Sequence, residues 1–147
     1  MTAAEKAKER DLVLEELELI RKNHRGLLQP RHVVEFAKDP NTALHHRFEW
    51  DNTHAADLYR LEQARHIVRV YVEMIPGTSQ PVRAFVSLKR DRAAGRGYRA
   101  MVNVLASDAL REQLLEEARD DMEVFVAKYE VLKEVAGVVR AMKKHKK

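Results

Sequence analysis

Between residues 89 and 99 the chain sets five cations, Lys89, Arg90, Arg92, Arg96 and Arg99, against a single acid, Asp91. Guanidinium groups grip phosphate oxygens two at a time, and glycines at 95 and 97 let a backbone follow a curved anionic strand. Phosphate contact is therefore the chemistry this segment suits, and its two glycines and dense charge read as a flexible loop. Arg60, Arg65 and Arg69, at helical spacing upstream, add cations, and Gln63 among them could read a base edge. Two blander readings compete with this one: a merely solvated charge run, and a contact with another protein.

Other chemistry has less to stand on. His45, His46, Glu49, Asp51 and His54 lie within ten residues, but their spacing matches no standard zinc signature. Beside Phe48 and Trp50 they read as packing or surface, so no metal and no cofactor is expected. The chain has no cysteine, which excludes disulfides and thiolate sites. It has neither a Gly-x-Ser-x-Gly elbow nor a Gly-x-x-x-x-Gly-Lys-Ser/Thr phosphate loop, and Gly95-Arg96-Gly97 alone is too weak a match. A non-enzymatic protein is expected.

Composition sets the frame for that chemistry. At 147 residues, with 45% hydrophobic and 34% charged side chains, the chain can bury a core beneath a heavily solvated exterior. Its net charge of +4 is unevenly spread. Residues 89–99 carry +4 and residues 140–147 carry +5, which leaves the rest of the chain at −5. The amino terminus, MTAAEKAKER, lacks the apolar stretch of a secretory signal, and no apolar run approaches the roughly 18 residues of a membrane span. The expectation is a cytoplasmic protein without a membrane partner.

The elements that must position the cations follow from periodicity. Thr2 and Glu5 form a capping box for a helix from Ala3 to about His24, with Val13, Leu17, Ile20 and Leu27 as its buried stripe. Pro30 opens a short second helix that ends at Asp39-Pro40. Asp51 or Thr53 caps a third, carrying Tyr59, Leu61, Ala64 and Ile67. Phe48, Trp50 and Tyr59 are expected to pack around this helix junction. Alternating Val68, Val70, Val72 and Val82, Ala84, Val86, Leu88 read as a β-hairpin, although residues 67–75 could equally continue the helix. Ser107 caps a last helix expected to run unbroken from Asp108 to about Lys143. Along it Leu115, Ala118, Met122, Phe125, Tyr129, Leu132, Ala136 and Val139 alternate spacings of three and four, a heptad seam. A helix of that length outreaches a small domain, so the seam predicts self-association through Leu115, Met122, Phe125, Tyr129, Leu132 and Val139.

The block Leu44-His45-His46-Arg47-Phe48-Glu49-Trp50-Asp51, continued by Ala55-Ala56, Tyr59 to Arg65 and Ile67-Val68-Arg69, resembles a group of small uncharacterised bacteriophage and prophage proteins. The likeness extends over roughly residues 27–140, including Pro81 to Leu88 and Gly97-Tyr98-Arg99. It implies a phage or prophage origin and action in the bacterial cytoplasm, and it supplies no catalytic residues.

The expected architecture is α+β and mainly helical, with a central, winged-helix-like hairpin and a coiled-coil-type C-terminal helix. It divides into an N-terminal helix (1–26), a small α+β domain with hairpin and basic loop (27–106) and the long helix with its basic tail (107–147). The expected function is a phage accessory protein that binds DNA as a homodimer through Lys89, Arg90, Arg92, Arg96 and Arg99 with Arg65 and Arg69. The alternative is a protein-interaction factor, a host-system inhibitor or assembly component, acting through helical surfaces.

Overall fold

The computed structural model describes residues 1–50 and 53–146, with the backbone alone at 54 and 55. Asp51 as a helix cap, the Asp51 and His54 members of the histidine cluster, and Lys147 of the tail lie outside the described side chains. The chain divides into two compact units, Met1–Asn103 and Val104–Lys147. The mainly helical α+β class holds: 65% of the chain is helical, beside two antiparallel sheets of two strands each.

In the first unit, α1 (Ala3–Asn23) begins at the expected capping box, with the Thr2 hydroxyl accepting from the Glu5 N–H and the Glu5 carboxylate from the Thr2 N–H. Val13, Leu17 and Ile20 are its buried face. The expected fourth member of the stripe, Leu27, is only half-buried, and Leu28 takes the core position instead. The second helix, α2 (Pro30–Ala37), buries Val33 and Ala37. A 3-10 turn over Leu44–Arg47 follows, held to α1 by the Glu16 carboxylate, which accepts from the N–H groups of Ala43 and Leu44 at 2.7 and 2.8 Å.

Thr53 caps α3 (His54–Val70), accepting from the Ala56 N–H. This helix runs through the stretch expected to form the first strand. Ala64, Ile67, Val68 and Tyr71 are buried at spacings of three, one and three, one helical stripe, whereas Val70 is 51% exposed. The valine alternation at 68, 70 and 72 thus straddles the end of a helix. Only its last member enters the sheet: β1 (Val72–Glu73) pairs antiparallel with β2 (Val82–Arg83), Val72 opposite Arg83. A second pair, β3 (Phe85–Val86) with β4 (Arg99–Ala100), closes a longer excursion, with Phe85 opposite Ala100.

That excursion is not the flexible loop expected. It contains a short helix, α4 (Lys89–Ala93), whose Asp91 is 1% exposed. An isolated bridge between Leu28 and Tyr98, with both N–H···O bonds at 2.8 Å, ties the segment to the start of α2. The core of this unit gathers Leu17, Ile20, Leu28, Val33, Leu44, Val68 and Phe85. Phe48 joins it as expected, with the Trp50 ring 5.5 Å away and packed against it. Tyr59 does not; it is 57% exposed, on the outer face of α3.

A helix α5 (Met101–Ala106) spans the boundary between the units. In the second unit Ser107 caps α6 (Asp108–Tyr129) as expected, but the helix does not continue to Lys143. Leu132 adopts an extended conformation, a 3-10 turn covers Lys133–Val135, and α7 (Ala136–Lys143) follows. Met142, His145 and Lys146 share one cleft with Arg119, Met122 and Val126, so α7 lies back along α6. A straight helix would leave both Val126 and Val139 in water; the fold-back buries Val139 and half-buries Val126. Glu130 and Lys143 close the hairpin with an ion pair of 3.2 Å.

Candidate nucleic-acid interface

The basic segment is organised by its one acid. Asp91 accepts from Arg96 Nε at 2.9 Å and from Arg99 Nε and Nη2 at 2.6 and 2.8 Å, while its carbonyl accepts the Arg96 N–H at 2.8 Å. Burial works to raise the Asp91 carboxyl, but the hydrogen bonds from Arg99 and Arg96 outweigh it and hold the group below its ordinary range. Two of the five cations in this segment are therefore committed to internal neutralisation.

The others divide. Lys89 and Arg90 are exposed on α4. Arg92 donates from Nη1 to the Ser87 carbonyl, which turns its guanidinium back over the start of the helix. On α3, Arg65 pairs with Glu62, and Arg69, exposed, donates to the Arg65 carbonyl at 3.3 Å. Arg60 has a structural place: 5% exposed, it donates to the Glu49 carbonyl and to Asp57 and sits 5.4 Å from the centre of the Trp50 ring. Half-buried Gln63 accepts the Glu49 N–H through its side-chain oxygen at 3.3 Å.

The expected cations that do meet are Arg65 and Arg92, and they meet in a cleft of about 590 Å³. Three parts of the first unit form it. The start of α2 supplies Gln29 and Arg31, α3 supplies Leu61 and Arg65 one turn apart, and residues 87–98 supply Ser87, Arg92 and Tyr98. Among the described residues no acid lines it and Arg31 has no ion-pair partner. Gln29 donates to the Gly95 carbonyl at 3.2 Å, and the adjacent Leu28–Tyr98 bridge ties the same two segments together.

Arg31 was not legible as a site residue, although its position carries a signal. It sits in the first turn of a helix with no side-chain cap and no acid in that turn. A cation there adds to the positive end of the helix dipole, an arrangement that favours an anion over the protein's own stability. Next to it His32 stacks on His24, ring centres 3.7 Å apart, and its proton affinity is lowered by burial and then by the charges of His24 and Arg31.

Of the histidine cluster, His45, His46 and Glu49 lie among the described side chains. His45 bonds through Nδ1 to the Ala37 carbonyl and stacks on Trp50 at 5.0 Å, while His46 is exposed. Among the described residues no three histidines or acids are placed to hold a metal ion.

In the second unit the seam residues share α6 only up to Tyr129, and no residue of that helix is buried. Leu115 is 36% and Leu132 46% exposed, whereas Met122, Phe125 and Tyr129 are half-buried. The rings of Phe125 and Tyr129 lie 4.9 Å apart. Among the described residues no helix is long and apolar enough to cross a membrane. Comparison of the chain with family models, with curated proteins and with solved structures finds no match.

Proposed function

We propose that the protein binds nucleic acid through the cleft lined by Arg31, Arg65 and Arg92, as the dimeric accessory protein of a bacteriophage. One observation carries the reading: Arg31, Arg65 and Arg92, from three separate parts of the fold, line one cleft that has no acid among its described lining residues. Cations brought onto one surface raise the local positive potential that an anionic ligand meets. Lys89 and Arg90 on α4 and Arg69 on α3 extend the positive surface around it. The phage assignment rests on the resemblance carried by the Leu44–Arg69 block and extending over roughly residues 27–140.

The order of three helices followed by a hairpin is that of a winged helix, but the connection Pro76–Gln80 at the hairpin tip carries no cation. The phosphate contact is therefore assigned to the cleft and α4 instead of to a wing. Replacing Arg31, Arg65 and Arg92 together by Ala should weaken binding and flatten its salt dependence, by about 0.9 in log–log slope per lost contact on duplex DNA. The melting temperature should change little, because exposed charges and their contacts contribute at most about 1 kcal/mol each. Fluorescence anisotropy across a salt series reads both quantities. Absence of binding by the native chain at low salt would remove the nucleic-acid reading and favour a protein partner.

Self-association is the second part of the proposal, with a second copy of the chain on α6. Its support is a 22-residue helix without one buried side chain, whose apolar row Leu115, Ala118, Met122 and Phe125 continues to Tyr129. Asp121 and Lys128 flank that row one heptad apart. In an antiparallel pair each Asp121 faces Lys128 of the second copy, so the charges complement each other twice about the symmetry axis. Leu115→Asp with Phe125→Asp should yield a monomer in sedimentation equilibrium that keeps its helical circular dichroism. A native chain that sediments as a monomer at high concentration would refute the dimer.

A further inference from the structure

Among the described residues lining the cleft, Tyr98 is the one aromatic. The ring is half-buried, and its backbone is clamped by the paired hydrogen bonds to Leu28. No other aromatic ring or cation stacks on it among the described residues. The cleft, about 590 Å³, is open on its outer side, so a strand can lie along it with one base turned inward. A tyrosine whose backbone is held in place, in a cleft also lined by arginines, offers two kinds of affinity at once. The cations take phosphate, and the ring takes a flat aromatic face.

Duplex DNA presents only the first of these. Its phosphates run along the outside of a broad cylinder, and its bases are already stacked on one another, so no base face is open to Tyr98. An unpaired nucleotide presents both, because its base can be splayed into the hollow while its phosphate stays at the rim. Arg31, at the uncapped start of α2, and Arg92 line the same cleft as the tyrosine.

We infer that the cleft takes a single-stranded nucleic acid, with one unpaired base on Tyr98 and its flanking phosphates on Arg31, Arg65 and Arg92. This rests on the nucleic-acid reading above and narrows it from nucleic acid in general to unpaired strands. Ser87 and Gln29, also on the lining, are the polar groups available to the base edge.

The experiment uses the full chain and labelled DNA and RNA strands of about ten nucleotides, within the roughly 4–16 nucleotides such sites occupy. Each strand is offered single, annealed to its complement, and abasic. The native chain should bind the single strand at least tenfold tighter than either the duplex or the abasic strand. Tyr98→Leu should lose about 5- to 150-fold on the single strand, the usual cost of a lost base–aromatic stack, and little on the duplex. Tyr98→Phe, which keeps the ring, should bind like the native chain, so a folding defect in Tyr98→Leu leaves the ring's role measurable. Duplex or abasic binding as tight as the single strand would overturn the inference while leaving the nucleic-acid reading in place. No binding to any strand at low salt would overturn both.

Discussion

Asp91→Ala is expected to lower stability by about 2–3 kcal/mol, roughly 6–9 °C of melting temperature in a chain of this size. The carboxylate is 1% exposed and accepts three hydrogen bonds from Arg96 and Arg99. Removing one partner of a fully buried ion pair costs about 3–5 kcal/mol, because the other charge is left unpaired. Here the stranded groups are partly wet, with the Arg96 side chain 47% and that of Arg99 26% exposed, so water recovers part of the loss. The same contacts make a pH prediction. The folded carboxyl lies below its ordinary value of 3.8, so its contribution is fully present above that value and is lost as pH falls through the folded pKa. The native chain should therefore lose melting temperature more steeply than Asp91→Asn on acidification below about pH 4. Parallel acid limbs in calorimetry would show that the carboxylate is not the titrating group.

Asp91 also marks where the amino-acid sequence stops being readable. One acid among five bases looks like a minority charge, and nothing local says that it will be buried and take two of the five as partners. What was legible is local: the capping residues Thr2, Thr53 and Ser107 and the stripe Val13, Leu17, Ile20, each set by neighbours within a few residues. Val68 and Val70 misled because three alternating positions at a helix end fit either period. The break after Tyr129 was hidden for a related reason. Since α7 lies back along α6, its apolar residues continue the same spacing of three and four that one straight helix would show. Arg65 and Arg92 were legible as cations but not as neighbours. Their meeting with Arg31 and Tyr98 depends on the Leu28–Tyr98 bridge, a pairing 70 residues long for which no residue between them gives a signal.

That bridge carries the second large effect. Gly97→Ala is expected to cost about 3–4 kcal/mol, roughly 9–12 °C of melting temperature, and Gly95→Ala only about 1–2 kcal/mol. Both glycines have left-handed backbones, φ +67° at Gly95 and +93° at Gly97, so both substitutions carry the strain of an L side chain there. They differ in what the new methyl would meet. At Gly95 nothing lies within 4 Å, whereas at Gly97 a Cβ would sit 2.5 Å from the Leu28 carbonyl oxygen. That oxygen accepts the Tyr98 N–H at 2.8 Å, and an atom of a paired backbone cannot swing away as a side-chain tip would. The alanine must therefore push the 95–98 segment off α2, opening the wall of the cleft at Tyr98 and breaking the bridge on which Arg31 and Arg92 depend for their spacing. The variant should lose affinity for single strands even at temperatures where it is folded, while Gly95→Ala keeps it. Calorimetry and anisotropy on the two variants side by side separate the effects. Equal melting temperatures would show that backbone strain alone fixes the glycines and that the close approach to Leu28 does not hold the cleft.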